Sequence, residues 1–94
     1  MNHHYSQNIQ HFKQFVELRD YRPATKKEYV RQLWKLAEHF DTDPAMLTQD
    51  QVRQYLVFLR EEVGASPSVM KGTKWGLRCY YQECLREREW TVFE

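Results

Sequence analysis

Apolar residues recur along this chain at intervals of three and four, the period of a helix that buries one stripe. Ile9, Phe12, Phe15 and Val16 form the first such set; Tyr29, Val30, Leu33, Leu36, Ala37 and Phe40 form the second. A third runs through Val52, Tyr55, Leu56 and Leu59, and a fourth through Val69, Thr73, Leu77, Tyr80, Cys84 and Leu85. Between them stand three turn-forming stretches, Tyr21-Arg22-Pro23-Ala24, Asp41-Thr42-Asp43-Pro44 and Gly64-Ala65-Ser66-Pro67. No stretch alternates apolar and polar residues as a strand would, and no Asn-Gly or Asp-Gly marks a hairpin. The expected class is all-α, a compact four-helix bundle joined by short connections.

Local signals set the expected boundaries. The first helix starts near Ser6 and ends before Pro23. Thr25-Lys26-Lys27-Glu28 has the form of a capping box, with Thr25 as cap of the second helix and Glu28 reaching back. Thr48-Gln49-Asp50-Gln51 repeats that form before the third, which Gly64 stops. Ser66 as cap and Pro67 in the first helical position open the fourth, expected to run to about Glu89.

With 94 residues there is room for one domain, over 1–94, and 41% hydrophobic residues keep the chain out of the disordered class. No apolar run approaches the roughly 20 residues of a membrane span, and Met1-Asn2-His3-His4-Tyr5 lacks signal-peptide regions, so a cytoplasmic location is expected. Cys79 and Cys84, five apart on one helix, point about 140° from each other and suit neither a local disulfide nor a metal pair. Both are expected to be reduced packing residues.

The net charge of +1 promises little global attraction to a polyanion, but its distribution is uneven. Residues 21–37 carry five basic side chains against one acidic, 38–65 carry six acidic against two basic, and 66–78 carry three basic and none acidic. A fold that brings the two basic blocks together would have one positive and one negative face.

Within the first basic block Lys27, Arg31 and Lys35 follow one another at spacings of four, with Arg22 and Lys26 at the helix start. Each like-charge pair costs an isolated helix about 0.2 to 0.5 kcal/mol, a cost that a polyanion would reverse and a solvated surface would simply bear. Lys71, Lys74 and Arg78 repeat the habit with Trp75 beside them, and Ser66 and Ser68 place hydroxyls at that helix's amide-rich N-terminus, a potential phosphate site or merely a cap. Gly72 and Gly76 each cost about 0.8 to 1 kcal/mol inside a helix, so close approach of another helix, or of a nucleic-acid backbone, is expected to compensate. Trp34, Trp75, Trp90 and Tyr80-Tyr81 could stack on bases, although core packing is the more frequent use of such spacing.

Catalytic chemistry is poorly represented. There is no Gly-rich phosphate loop, HExxH, G-x-S-x-G or paired-Cys motif. His3, His4, His11 and His39 are scattered, and Asp41, Asp43, Glu61 and Glu62 read as solvated loop and helix-end residues. No cofactor and no metal is expected.

Nearly the whole chain resembles the N-terminal core-binding, SAM-like domain of tyrosine recombinases, the phage integrases. The likeness is carried by Tyr21-Arg22-Pro23-Ala24-Thr25 with Tyr29, Leu33, Leu36 and Phe40, by Leu47-Thr48 with Val52, Tyr55-Leu56 and Leu59, and by Ser66-Pro67-Ser68 leading to Leu77-Arg78 and Tyr80-Tyr81. Met70 and Gly72 depart from the polar helix formers usual there. The resemblance implies a DNA-binding half-clamp around double-stranded DNA whose second and fourth helices face the duplex. It assigns DNA contacts to Lys26, Lys27, Arg31, Lys71, Lys74 and Arg78, and the charge and capping readings above add Arg22, Lys35, Ser66, Ser68 and Trp75 to the expected DNA-binding set. It also implies a partner, a C-terminal catalytic domain bearing an Arg, His-x-x-Arg and Tyr set that this chain does not contain, so no catalysis of its own. The expected state is a monomer alone, with room for higher-order assembly on DNA. A competing expectation is a protein-interaction bundle that docks a partner through the acidic stretch from Glu38 to Glu62 or through Trp90 and Phe93.

Overall fold

The computed structural model describes residues 6–93. It contains four helices and, among the described residues, no strand: α1 (Ser6–Glu17), α2 (Pro23–Phe40), α3 (Gln49–Phe58) and α4 (Pro67–Arg78). A 3₁₀ turn at Pro44–Met46 lies between α2 and α3. Both α3 and α4 run on without a break into single π-helical segments, Leu59–Val63 and Cys79–Cys84.

The expected caps hold at two of three places. At α3 the Thr48 hydroxyl accepts from the Gln51 amide at 3.2 Å while the Gln51 side chain accepts from the Thr48 amide at 2.9 Å. At α4 the Ser66 hydroxyl accepts from the Val69 amide at 3.2 Å, with Pro67 first in the helix. The box expected at Thr25 does not form. Arg22 is the N-cap without a side-chain bond, and α2 opens on Pro23, whose fixed φ suits the first helical position. Thr25 therefore lies inside the helix, and the Glu28 carboxylate accepts instead from Arg31 at 3.2 Å and Gln32 at 2.6 Å.

One core joins all four helices: Ile9, Phe12 and Val16 from α1, Leu33, Leu36 and Ala37 from α2, Val52, Tyr55 and Leu56 from α3, and Leu77 with Tyr80 and Tyr81 from α4 and its extension. Val69, expected on the buried face, is 52% exposed, and its neighbours Pro67 and Ser68 in the first turn of α4 are exposed with it. α2 and α4 meet closely. A Cβ added at Gly76 would sit 3.3 Å from the Tyr29 Cα, and nearby the buried Thr73 hydroxyl donates to Gln32 Oε1 at 3.2 Å. Gly76 thus serves helix packing, whereas nothing lies within 4 Å of the corresponding point on Gly72.

The helical reading of residues 66–89 overshoots. The fourth helix widens into its π segment at Cys79 and is finished by Leu85 and Arg86, the latter at φ 63°. In an α-helix three consecutive residues cannot all face one side; the wider i→i+5 winding places Cys79, Tyr80 and Tyr81 together in the core. The chain after it folds back: Trp90 stacks on Tyr81 with ring centres 4.5 Å apart, and the amides of Thr91 and Val92 donate to the Gln49 side chain at 2.6 and 2.8 Å.

Asp43 corrects a further expectation. It is a half-buried fastener, accepting from the Ala45 amide at 2.9 Å and from the Asn8 side chain of α1 at 2.6 Å. Tyr81 adds to this anchor, its hydroxyl donating to the Pro44 carbonyl at 2.6 Å.

Candidate nucleic-acid interface

The Gly76–Tyr29 contact forms a ridge of two adjacent helices, and the positions of the candidate cations follow from it. At about 100° per residue, Lys71, Lys74 and Arg78 stand roughly 140 to 160° around α4 from Gly76, away from α2. They line an open groove of about 680 Å³ with Trp75, Met70, Arg60 at the α3 end, and Phe93 of the folded-back tail. Gly76 in α4 and Tyr29 with Gln32 in α2 define the inner contact, and Lys27 lies roughly 140 to 160° around α2 from both. It lines a second groove, of about 450 Å³, with Lys13, Lys26, Glu17 and Trp34. The two grooves share no lining residue. The cations thus form two basic strips on the flanks of the α2–α4 ridge, with Arg31 and Lys35 on the solvent side of α2, rather than one merged groove.

The strips differ in how far their charges are already neutralised. Lys26 is turned back onto α1, where its ammonium donates to the Glu17 carbonyl oxygen at 3.1 Å and lies 3.8 Å from the Glu17 carboxylate. Arg31 pairs with Glu28 at 3.2 Å, an exposed pair of small net value that a phosphate can displace. Arg22, Lys27, Lys35, Lys71 and Lys74 have no hydrogen-bond or ion-pair partner among the described residues. Arg78 is held in place: its Nε donates to Gln82 at 2.9 Å and its guanidinium lies 5.1 Å from the centre of the Trp75 ring, which is 47% exposed.

Ser66 is exposed and its oxygen is engaged in capping, while Ser68 is exposed and does not line the α4 groove. Trp90, Tyr80 and Tyr81 are packing residues, stacked or edge-on within the molecule. Phe93 is also partly committed, 6.4 Å from the Tyr81 ring. Trp90 and Phe93, the expected alternative docking residues, are thus half-buried and pack on Tyr81. His39 forms an aromatic cluster with Tyr55 and Phe58 at 5.1 and 4.7 Å.

Nothing in this site resembles an acid–base or nucleophilic centre. Burial pushes the Tyr21 phenol up to about 12 and the Cys79 thiol up to about 11, so their 3.9 Å contact is between neutral groups. Both cysteines are free thiols, and burial raises Cys84 as well. His3 and His4 lie outside the described residues; among the described residues no group of three or more His, Cys, Asp or Glu could hold a metal ion. No helix among them is long and apolar enough to cross a membrane.

Arg53 and Arg60, of the third helix and its extension, were not among the residues expected at the interface. Both line a smaller recess contiguous with the α4 groove, together with Lys74 and Met70. No signal in the linear sequence marks them, because they belong to the stretch in which acidic residues predominate.

Residues 9–91 match the family described as phage integrase, N-terminal SAM-like domain. The chain is also 29% identical over 79 residues to a protein of Sinorhizobium fredii named as an integrase/recombinase, covering 84% of this chain. It spans a quarter of the length of that relative, 25%. No solved structure matches the chain.

Proposed function

Because the chain belongs to the phage integrase N-terminal SAM-like domain family, we propose that it is the DNA-holding module of a site-specific recombinase, clamping duplex DNA while a separate catalytic domain exchanges strands. The family's SAM-like domain is the accessory part of an integrase and not its catalytic part. The observation that carries the reading is the α4 groove, where Lys71 and Lys74 stand unpaired beside the oriented Arg78–Trp75 pair and no acidic residue lines the wall. Such a wall attracts phosphates, and the recess focuses the field. With the α2 strip on the other flank, the ridge offers cations on two sides, which suits the two phosphate backbones bordering a groove of the duplex. Phosphate contacts of this kind fix position and orientation, the property a clamp needs.

The reading is tested by binding to a labelled duplex across a salt series. Neutralising four to six phosphates gives a slope of log affinity against log salt of about −3.6 to −5.4. Changing Lys27, Arg31, Lys71 and Lys74 together to Gln removes the charge from exposed or half-buried positions without touching the core. The expected outcome is loss of binding with an unchanged helical spectrum; binding that persists in the quadruple variant overturns the proposed face.

A further inference from the structure

We infer that the DNA-binding surface has a third strand of support, the α3 wall, and that Arg60, assisted by Arg53, is a phosphate-positioning residue; this rests on the duplex-binding reading above. The groove along α4 is two-sided. Arg60, from the α3 extension, lines its main recess with Lys71, Lys74 and Arg78 of α4, and also the adjoining recess with Arg53, Val57 and Lys74. Neither recess has an acidic lining residue, so every formal charge on both walls is positive. The α1–α2 groove differs in that Glu17 lines it and neutralises Lys26. Of the two flanks, the α3–α4 side is therefore the stronger anion site.

The existing partners of the α3 cations do not close that site. Arg60 approaches Glu61 at 3.7 Å with its side chain 74% exposed, and Arg53 pairs with Asp50, itself 81% exposed. Exposed pairs of this kind contribute little and yield to a phosphate, which offers a guanidinium a bidentate acceptor. The floor between the walls is apolar, formed by Met70, Trp75 and Phe93, and a sugar–phosphate strand presents both anionic oxygens for such walls and an uncharged sugar for such a floor. The occupant is accordingly one strand of the duplex backbone. The α3 end is joined to this wall by local structure: the helix runs on unbroken through Leu59–Val63, and Gly64 at φ 74° ends it and turns the chain directly into α4.

Arg60→Gln, alone and with Arg53→Gln, tests the inference by duplex binding over a salt series, with circular dichroism as the folding control. Loss of one phosphate contact lowers the slope by about 0.9, and the matching counterion-release share of affinity at 0.1 M salt falls about eightfold. That result, with the helical spectrum intact, supports the α3 wall. Wild-type binding together with an unchanged slope and affinity in Arg60→Gln overturns this inference and leaves the parent reading standing. Absence of duplex binding by the wild-type protein overturns both.

Discussion

Gly72 and Gly76 are four residues apart in one helix, yet they answer to different constraints. At Gly76 an added Cβ meets the Tyr29 backbone and ring, each at 3.3 Å, and a backbone atom inside α2 cannot step aside as a side-chain tip would. Crowding of this sort costs about 1 to 3 kcal/mol, against a helix-propensity gain of about 0.8 to 1 kcal/mol. Gly76→Ala is therefore expected to lose about 1 kcal/mol. At Gly72 nothing lies within 4 Å and the φ is not in the left-handed region, so the propensity gain stands alone. Gly72→Ala is expected to gain about 0.8 to 1 kcal/mol. Thermal unfolding separates the two, since about 1 kcal/mol moves the midpoint of a domain this size by about 4 to 8 °C. Shifts of the same sign would show that the α2–α4 contact is looser than the 3.3 Å approach implies.

Helix starts show which local signals survive folding. Thr48 and Thr25 both begin a T-x-x-E/Q sequence, but only Thr48 itself takes the extended conformation of a cap. At Thr25 the competing signal, Pro23, begins the helix two residues earlier and leaves the threonine no orphan amide to serve. Thr48→Ala is expected to cost about 0.5 to 2 kcal/mol, and Thr25→Ala to stay within about 0.5 kcal/mol of wild type, as read from urea midpoints. An equal loss at both sites would contradict the assigned α2 boundary. The four helices, two caps and the Lys71–Lys74–Trp75–Arg78 grouping were legible because each depends on residues within one or two turns of each other. The π segments were not, since a period near 3.6 cannot describe a winding that buries Cys79, Tyr80 and Tyr81 in succession. The α3 wall was equally hidden, because Arg60 joins Lys74 and Arg78 only through the packing of one helix beside another.

Across the whole molecule, buried phenols bind the 3₁₀ turn, α1 and the end of α4 into one unit. Tyr80 meets Phe12 edge-on at 5.2 Å, Tyr81 meets Tyr80 at 4.9 Å, and the Tyr81 hydroxyl holds the Pro44 carbonyl. Burial raises both phenols above the ordinary tyrosine value of 10.0, with the Asp43 carboxylate adding to the shift, and Tyr80 Oη has no hydrogen-bond partner. Tyr21 is raised to about 12, first by burial and then by Cys79. A phenol whose folded value is raised favours the folded state fully below the unfolded value, and that contribution disappears as pH climbs from the unfolded value through the folded one. Stability is therefore expected to hold up to about pH 10 and then fall steeply, with nothing comparable on the acid side from these groups. An alkaline titration followed by tyrosinate absorbance and circular dichroism together checks this. The ionisation of Tyr80 and Tyr81 should coincide with loss of helix, because neither oxygen reaches water while the core is closed. Tyr81→Phe should remove one phenol from that late step and lower stability by about 0.5 to 1.5 kcal/mol, the net value of a typical hydrogen bond, since the Pro44 carbonyl keeps its 3.3 Å bond from the Leu47 amide. Full tyrosinate formation with the helical signal retained would mean that the end of α4 opens independently of the bundle, so that Arg78 and Trp75 would not be held in register with α3.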